Sequence, residues 1–155
     1  LAIDTLVPVS KNIIHTQLEQ DDFVVVTRKN HPAIRQTMDL DTYIDLEHIL
    51  VSSRSTGPGL EDFELSRLGI ERKIVLRCQH ALSACRIILN SDMVLTIPKT
   101  AAKMYCEMLD VDIFPLPVEL SGLDVHLYWH ENVDKDPANK WLRNKIIMAT
   151  SNIIS

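Results

Sequence analysis

The stretch KIVLRCQHALSACRIILNSDMVLTI, residues 73–97, decides the fold class of this chain. Residues 73–77 form an apolar run rich in β-branched side chains, which predicts a buried strand. The next segment spaces apolar side chains three and four residues apart, as one face of a helix requires: Ala81, Leu82, Cys85, Ile88 and Leu89. A second apolar run at residues 93–97 predicts another strand. The stretch is therefore a strand–helix–strand unit.

The same alternation continues on both sides of this unit. Asp39 is a candidate helix N-cap, Gly69 a candidate helix stop, and Pro98 stands where a further helix begins. The other predicted strands are 21–27, 48–52, 111–116 and 125–129, and the other predicted helices are about 40–46, 60–68 and the segment from Asp136-Pro137 onward. Strands that alternate with short helices indicate an α/β fold with a mostly parallel sheet.

The large apolar side chains and the cysteines are predicted to be core residues. The last helix carries one apolar stripe, formed by Ala138, Trp141, Leu142, Ile146, Ala149 and Ile153. Because Trp129 and Trp141 both fall on apolar stripes, we predict that they pack in the core and do not stack on a cofactor. Cys78, Cys85 and Cys106 have no paired spacing, so we predict small core residues over redox sensors, in a reducing cytoplasm.

The charge of the chain argues against nucleic-acid binding by these residues. Its 16 basic residues are outnumbered by 21 acidic ones, and the net charge is −5 at pH 7. A nucleic-acid surface needs clustered Lys and Arg to neutralise phosphates. No apolar run is long enough to span a membrane, and no leader opens the chain. The chain begins with Leu1-Ala2-Ile3-Asp4, the inside of a strand, which we interpret as a fragment of a longer protein.

The sequence contains no motif that identifies an enzyme. It has no GxSxG elbow, no GxxxxGK[ST] phosphate loop, no HExxH and no GxGxxG. His126 and His130 are four residues apart, but in a predicted strand they stand about 13 Å apart, too far to share one metal ion. We expect solvent or backbone partners for these two histidines. The sequence therefore predicts no enzyme, no catalytic residues, no metal site and no cofactor.

Six segments together resemble the LysR family of transcriptional regulators. In chain order they are Leu18-x-x-Asp21-x-Phe23-Val24-x-Val26 running into His31-Pro32, Leu68-Gly69-Ile70-x-Arg72, Ser91-Asp92-Met93-Val94-Leu95-Thr96-Ile97-Pro98, Pro115-Leu116-Pro117, Leu127-Tyr128-Trp129-His130, and Asp136-Pro137-Ala138-x-x-Trp141-Leu142-Arg143. The last two resemble most the branch that holds nodulation-gene and salicylate-responsive regulators. The resemblance spans nearly all 155 residues.

The resemblance implies a periplasmic-binding-protein-like sensor of type II, with two lobes, mixed sheets and flanking helices. Lobe one would comprise residues 1–30 and 119–155, and lobe two residues 31–118. Residue 1 would stand at the third strand of the family's sensor, so the N-terminal part of lobe one and a winged helix-turn-helix domain would be missing. Family sensors pair as homodimers, full-length proteins form tetramers, and DNA would be bound only through the missing domain.

By the resemblance, a small-molecule effector lies in the cleft between the lobes. Ligands in open α/β sheets also bind at the carboxyl ends of strands. The candidate effector-binding residues are Ser52, Ser53, Arg54, Ser55 and Thr56 after one strand, His80 after the next, and Pro98 and Thr100 at a helix start. Free N–H groups at that helix start would suit a carboxylate or phenolate. The alternatives are that the Ser/Thr loop is only a turn, that His80 caps the next helix and that Thr100 merely occupies a first helical turn.

Three functions remain open at this point. The favoured one is a ligand-sensing domain, for an aromatic or organic acid, in a cytoplasmic LysR-type regulator of a bacterium. The alternative is a solute-binding protein of a transport system, which has the same architecture but follows a secretory leader. The third is a small α/β enzyme, against which the lack of catalytic motifs argues.

Overall fold

The computed structural model describes residues 1–151, and strands alternate with helices as expected from residue 23 to residue 115. In chain order the elements are β1 (Ala2–Thr5), β2 (Ile13–Asp21), β3 (Phe23–Arg28), α1 (Leu40–Asp45), β4 (Glu47–Val51), α2 (Leu60–Arg67), β5 (Lys73–Cys78), α3 (Ala81–Ile88), β6 (Val94–Pro98), α4 (Lys99–Cys106), β7 (Val111–Pro115), β8 (Leu123–His130) and α5 (Pro137–Ser151). The predicted elements are all present, and β2 is one that the apolar pattern does not predict. Ile153 of the predicted stripe lies outside the described residues.

The chain divides into two units. Unit 1 consists of Leu1–Asp21 and the residues from Gly122 onward, and unit 2 consists of Asp22–Ser121. The first boundary falls before residue 30, the limit that the sequence suggests for lobe one, because β3 forms its ladder with β6 and β7 of unit 2. The second boundary falls close to the expected residue 119.

The sheet of unit 2 has the strand order β5-β4-β6-β3-β7. β4 pairs in parallel with both β5 and β6, whereas β3 runs antiparallel to β6 and to β7. The prediction of a mostly parallel sheet is therefore correct for β5, β4 and β6 but wrong for β3. The direction of β3 depends on its neighbours β6 and β7, which lie far from it in sequence, so the local pattern does not reveal it.

One face of this sheet forms an apolar core with α3 and α4. Leu95 of β6, Cys85 of α3 and Ala102 of α4 are buried in this core. Burial, with a smaller effect from nearby Cys106, raises the pKa of the Cys85 thiol to about 11, so the thiol is protonated and apolar at neutral pH. Cys78 and Cys106 are half-buried against the same core. The prediction that the cysteines are small core residues is confirmed.

The other face of the unit 2 sheet carries a buried polar chain that links α1 to β6. The Tyr43 hydroxyl lies 2.9 Å from Oγ1 of Thr96, and Nε2–H of His48 donates to the Tyr43 carbonyl oxygen at 2.7 Å. Tyr43 and His48 are fully buried. Burial, and then the positive charge of Arg72, lowers the pKa of His48 from 6.5 to about 4. The imidazole is therefore neutral in the folded protein at neutral pH.

This depressed pKa predicts a loss of stability in mild acid. Below pH 6.5 an unfolded chain protonates His48, whereas the folded chain resists protonation until about pH 4. We expect this residue to lower the free energy of unfolding by up to about 1.4 kcal/mol per pH unit across that window. Urea unfolding at pH 7, 6 and 5 measures the slope of the free energy of unfolding against pH. We expect His48→Phe to reduce this slope. The control His80→Ala, which replaces an exposed histidine, should leave the slope unchanged. Equal slopes in all three proteins contradict the prediction.

Three predicted helix boundaries are confirmed by their capping geometry. Oδ1 of Asp39 accepts the Thr42 N–H at 2.8 Å and caps α1. Gly69, just after α2, has a φ of +73°, a conformation that disfavours other residues. Oδ2 of Asp136 accepts the Asn139 N–H at 2.7 Å at the start of α5. Local side-chain chemistry therefore sets these boundaries.

The sheet of unit 1 is antiparallel throughout, in the order β1-β8-β2, and α5 packs beside it. The guanidinium carbon of Arg143 on α5 lies 4.4 Å from the ring centre of Trp129 on β8. Nε1–H of Trp129 donates to Oδ1 of Asp134 at 2.9 Å. Trp129 is therefore a packing residue of unit 1, as predicted.

The prediction that Trp141 packs in the core is wrong. Its side chain is 62% exposed, and Leu142 beside it is exposed as well. The helix instead buries Arg143, with Ile146 half-buried beside it. The guanidinium of Arg143 donates to the carbonyl oxygens of Val133 and Asp134, so its polar contacts turn this face of α5 inward. Helical periodicity identifies an apolar stripe but does not decide which face of the helix packs on the sheet.

Candidate functional site

The carboxyl ends of three neighbouring strands meet at one edge of the unit 2 sheet. Because β5, β4 and β6 are parallel and adjacent, the segments that follow them emerge at the same edge. These segments are the Ser52–Thr56 loop after β4, His80 after β5, and the start of α4 after β6. The structure therefore brings the predicted candidates to one side of unit 2. We call this side the carboxyl edge.

Two hydrogen bonds of Ser52 hold the beginning of the Ser52–Thr56 loop in a turn. Backbone N–H of Ser52 donates to the Cys78 carbonyl oxygen at 2.9 Å, which ties the ends of β4 and β5 together. Oγ of Ser52 accepts the backbone N–H of Arg54 at 3.1 Å. Residues 53–56 are exposed. The side chain of Ser52 therefore stabilises a turn, as the alternative to ligand binding proposes. The hydroxyls of Ser53, Ser55 and Thr56 lie at the surface of the carboxyl edge.

His80 stands at the N-cap position of α3, but its side chain makes no capping hydrogen bond. Its carbonyl oxygen accepts the N–H groups of Ser83 and Ala84 at 3.1 and 3.2 Å. The imidazole is exposed. The alternative that the His80 side chain caps the helix is therefore not supported.

The first turn of α4 is tied to the start of β3. Pro98 pairs with Phe23, and backbone N–H of Lys99 donates to the Asp22 carbonyl oxygen at 2.8 Å. This N–H is therefore not one of the free donors that the sequence suggests at the helix start. Thr100 is half-buried and has an interaction of its own within the chain.

A cavity of about 620 Å³ lies at this carboxyl edge, beside the start of α4. Its wall includes Lys99, Phe23, Ile113, Leu116, Leu120 and Glu119. None of the eight candidates predicted from sequence lines it, although Lys99 stands between Pro98 and Thr100. Lys99, a cation at the start of a helix, is the feature of the sequence that could have indicated this cavity. Phe23 gave no signal, because antiparallel β3 brings its first residue to the carboxyl edge.

The histidines of β8 are engaged within unit 1. Nδ1 of His126 lies 3.0 Å from Nδ1 of His15, so the expectation of solvent or backbone partners is wrong for His126. Nε2 of His130 lies 2.6 Å from Nδ2 of Asn12, and its Nδ1 accepts the Asn132 N–H. Among residues 1–151, no three His, Cys, Asp or Glu side chains converge as metal ligands. No described helix is long and apolar enough to cross a membrane.

The class of protein follows from comparison with known families. The model of the LysR substrate binding domain matches residues 1–149. The chain therefore belongs to the LysR substrate-binding domain family. This is a family of regulatory ligand-binding domains, so the prediction that the chain is not an enzyme is confirmed, and the transport alternative is not supported.

Individual relatives narrow the class further. The chain is 32% identical over 139 residues to the HTH-type transcriptional regulator SyrM of Rhizobium meliloti (strain 1021), covering 89% of this chain and 43% of SyrM. It is 31% identical over 143 residues to the HTH-type transcriptional activator NahR of Pseudomonas putida, covering 92% of this chain and 48% of NahR. Nodulation protein D 1 of Rhizobium tropici also matches, with 23% identity, 88% of this chain and 45% of that protein. The resemblance to the nodulation and salicylate-responsive branch is confirmed, and the chain spans about half of each relative.

Solved structures share the fold. The regulatory domain of MexT, a transcriptional activator in Pseudomonas aeruginosa, superimposes with a TM-score of 0.82 at 23% identity, covering 94% of this chain and 70% of that one. The effector binding domain of QuiR in complex with shikimate superimposes with a TM-score of 0.75 at 20% identity, covering 97% and 71%. The expected fold, an α/β sensor of the periplasmic-binding-protein type with mixed sheets and flanking helices, is therefore confirmed.

Proposed function

We propose that this chain is the part of a bacterial LysR-type transcriptional regulator that senses a small organic or aromatic acid. The observation that carries the proposal is the cavity of about 620 Å³ at the carboxyl edge. Lys99 brings a positive charge to its wall, which also includes the exposed and water-screened carboxylates of Asp22 and Glu119, and Phe23, Ile113 and Leu116 supply apolar surface. An organic acid has the charged head and the apolar body that such a wall recognises.

The candidates predicted from sequence would add polar contacts at the same edge. The hydroxyls of Ser53, Ser55 and Thr56 are exposed, and the His80 imidazole can donate or accept a hydrogen bond. The start of α4 also carries the positive end of the helix dipole, which favours an anion near Pro98. Together these groups favour a carboxylate or phenolate over a sugar or a metal ion. QuiR, which has the same fold, was solved with shikimate, a ring carboxylate.

The complete regulator would divide sensing and DNA binding between domains. The net charge of −5 does not favour binding to the phosphates of DNA. We therefore propose that a winged helix-turn-helix domain outside these 155 residues binds the operator. The effector would act by shifting the population of sensor conformations. We further propose a homodimer of the sensor, a tetramer of the full-length regulator and a cytoplasmic location.

The carboxyl-edge cavity is tested by removing the charge of Lys99. We expect Lys99→Met to weaken benzoate binding about fivefold, because an ion pair at an exposed lysine contributes up to about 1 kcal/mol. The affinity for benzamide, which has the same ring and no charge, should not change. Isothermal titration of both compounds into wild type and variant measures the difference. An equal affinity of the two proteins for benzoate would remove Lys99 from the site.

Thr100→Val and His80→Ala test the candidates predicted from sequence in the same titration. Each substitution should weaken benzoate binding if its side chain contacts the effector, since each removes a hydrogen-bonding group. The matched control is Thr42→Val, the same change in the first turn of α1, at a residue that does not line the carboxyl-edge cavity. If Thr100→Val and His80→Ala bind benzoate as well as Thr42→Val does, neither residue belongs to the site.

A further inference from the structure

A second cavity lies between α2 and β5 in unit 2. Its volume is about 360 Å³, within the range of roughly 300–1,000 Å³ typical of ligand pockets. We call it the arginine cavity, and its defining wall residues are Leu50, Phe63, Ile70, Arg72, Ile74 and Arg77. It shares no lining residue with the carboxyl-edge cavity. It is therefore a separate place for a ligand within the same unit.

Two guanidinium nitrogens in this wall are buried without an acceptor. Nη1 of Arg72 and Nη1 of Arg77 make no hydrogen bond within residues 1–151. The Arg72 side chain is fully buried, and its other donors are used: Nε donates to Oδ1 of Asp62 at 2.7 Å and Nη2 donates to Oε1 of Glu61 at 3.0 Å. The Arg72 guanidinium also interacts with the buried side chain of Tyr43, so the positive charge that the cavity offers to a ligand is that of half-buried Arg77.

Within residues 1–151, Arg77 of the arginine cavity forms no ion pair, although Asp62 and Glu71 line the same wall. Arg72 is paired with both Asp62 and Glu61. Arg77, in contrast, donates from Nη2 to the neutral carbonyl oxygen of Gly57 at 2.7 Å. The remaining carboxylate of the wall, Glu71, is exposed, and water screens its charge. The available donor of Arg77 therefore favours an anionic acceptor.

The rest of the wall is apolar and suits a hydrocarbon body. Leu50, Ile70 and Ile74 line the cavity, and Phe63 lies at it with about half of its surface exposed to solvent. An aromatic side chain that is open to solvent beside the Arg77 guanidinium offers a stacking surface next to a positive charge. An inorganic anion would interact only with this charge and would make no contact with the apolar wall. The wall as a whole therefore favours an organic acid.

We infer that the arginine cavity is a second ligand site, which binds a small organic carboxylate at the guanidinium of Arg77. The ring or chain of the ligand packs against Phe63 and the apolar wall. This site goes beyond the proposed function, and its existence does not depend on the carboxyl-edge cavity. A regulator with both sites responds to two organic acids, or to one acid over two ranges of concentration.

The test uses benzoate as the probe, titrated calorimetrically into the chain that carries Lys99→Met and Thr100→Val, in which binding at the carboxyl-edge cavity is expected to be weakened about fivefold or more. We expect benzoate to bind, and Arg77→Met in this background to weaken binding about tenfold or more, because a charged hydrogen bond is lost. The matched control is Lys73→Met, which removes the same charge from the same strand outside the cavity. It should leave the affinity unchanged.

Ser66→Leu is the second variant, because Ser66 lines the arginine cavity and the larger side chain fills it while both arginines remain. It should also weaken benzoate binding, with circular dichroism verifying the fold of each variant. Unchanged affinity in Arg77→Met and Ser66→Leu, or no benzoate binding in the background chain, overturns the second site. Binding of inorganic phosphate without benzoate overturns the ligand class. A result confined to Lys99→Met bears on the proposed function alone, since Lys99 lies outside the arginine cavity.

Discussion

Arg72→Ala is expected to lower the free energy of unfolding by about 3–5 kcal/mol, because it leaves buried carboxylates without their counterion. The Arg72 side chain is 0% exposed and pairs with both Glu61 and Asp62 of α2. Burial already raises the pKa of Glu61, so this carboxylate depends on the guanidinium to remain charged. Urea unfolding at pH 7 measures the loss.

Arg67→Ala is the matched control for Arg72→Ala. Arg67 also pairs with a glutamate of α2, Glu64 at 3.2 Å, but its side chain is 75% exposed. We expect a change below about 0.5 kcal/mol for this exposed pair. Adding Glu61→Gln to Arg72→Ala should restore part of the stability, because it removes one of the two stranded charges. A loss below about 1 kcal/mol in Arg72→Ala, or no recovery in the double variant, contradicts the proposed role of the network.

Trp129→Ala is expected to destabilise unit 1 by about 3 kcal/mol, the cost of removing a large packed aromatic side chain. Its ring lies beneath the guanidinium of Arg143, and its Nε1–H donates to Asp134. The substitution removes both contacts and leaves a buried arginine with less to cover it. Thermal unfolding followed by circular dichroism, together with urea titration, measures the effect.

Trp141→Ala is the matched comparison, since it removes the same side chain from the same unit. Because Trp141 is 62% exposed, its truncation should cost less than about 1 kcal/mol. The chain has two tryptophans, so each single variant also isolates the fluorescence of the other. Equal destabilisation by the two substitutions would show that Trp141 is covered in solution.

The candidate site was predictable in part. The Ser52–Thr56 loop, His80 and the start of α4 meet at one edge because parallel strands linked by helices place their carboxyl ends together, and the alternation of elements reveals this. The cavity beside Lys99 depends instead on Phe23, which reaches the same edge through an antiparallel strand. That direction results from strand pairing over long sequence distances, which no local pattern encodes.

The sequence by itself determined the α/β class, nearly all element positions, the acidic charge and membership of the LysR family. These properties depend on local periodicity, on capping residues such as Asp39 and Gly69, and on motifs that are readable in order along the chain. Only the tertiary structure decided that β3 belongs to unit 2, that α5 buries Arg143 while Trp141 faces solvent, and that Arg72 meets Glu61 and Asp62. The physical reason is that an amphipathic pattern specifies an apolar face, whereas its packing partner is chosen by contacts between distant segments.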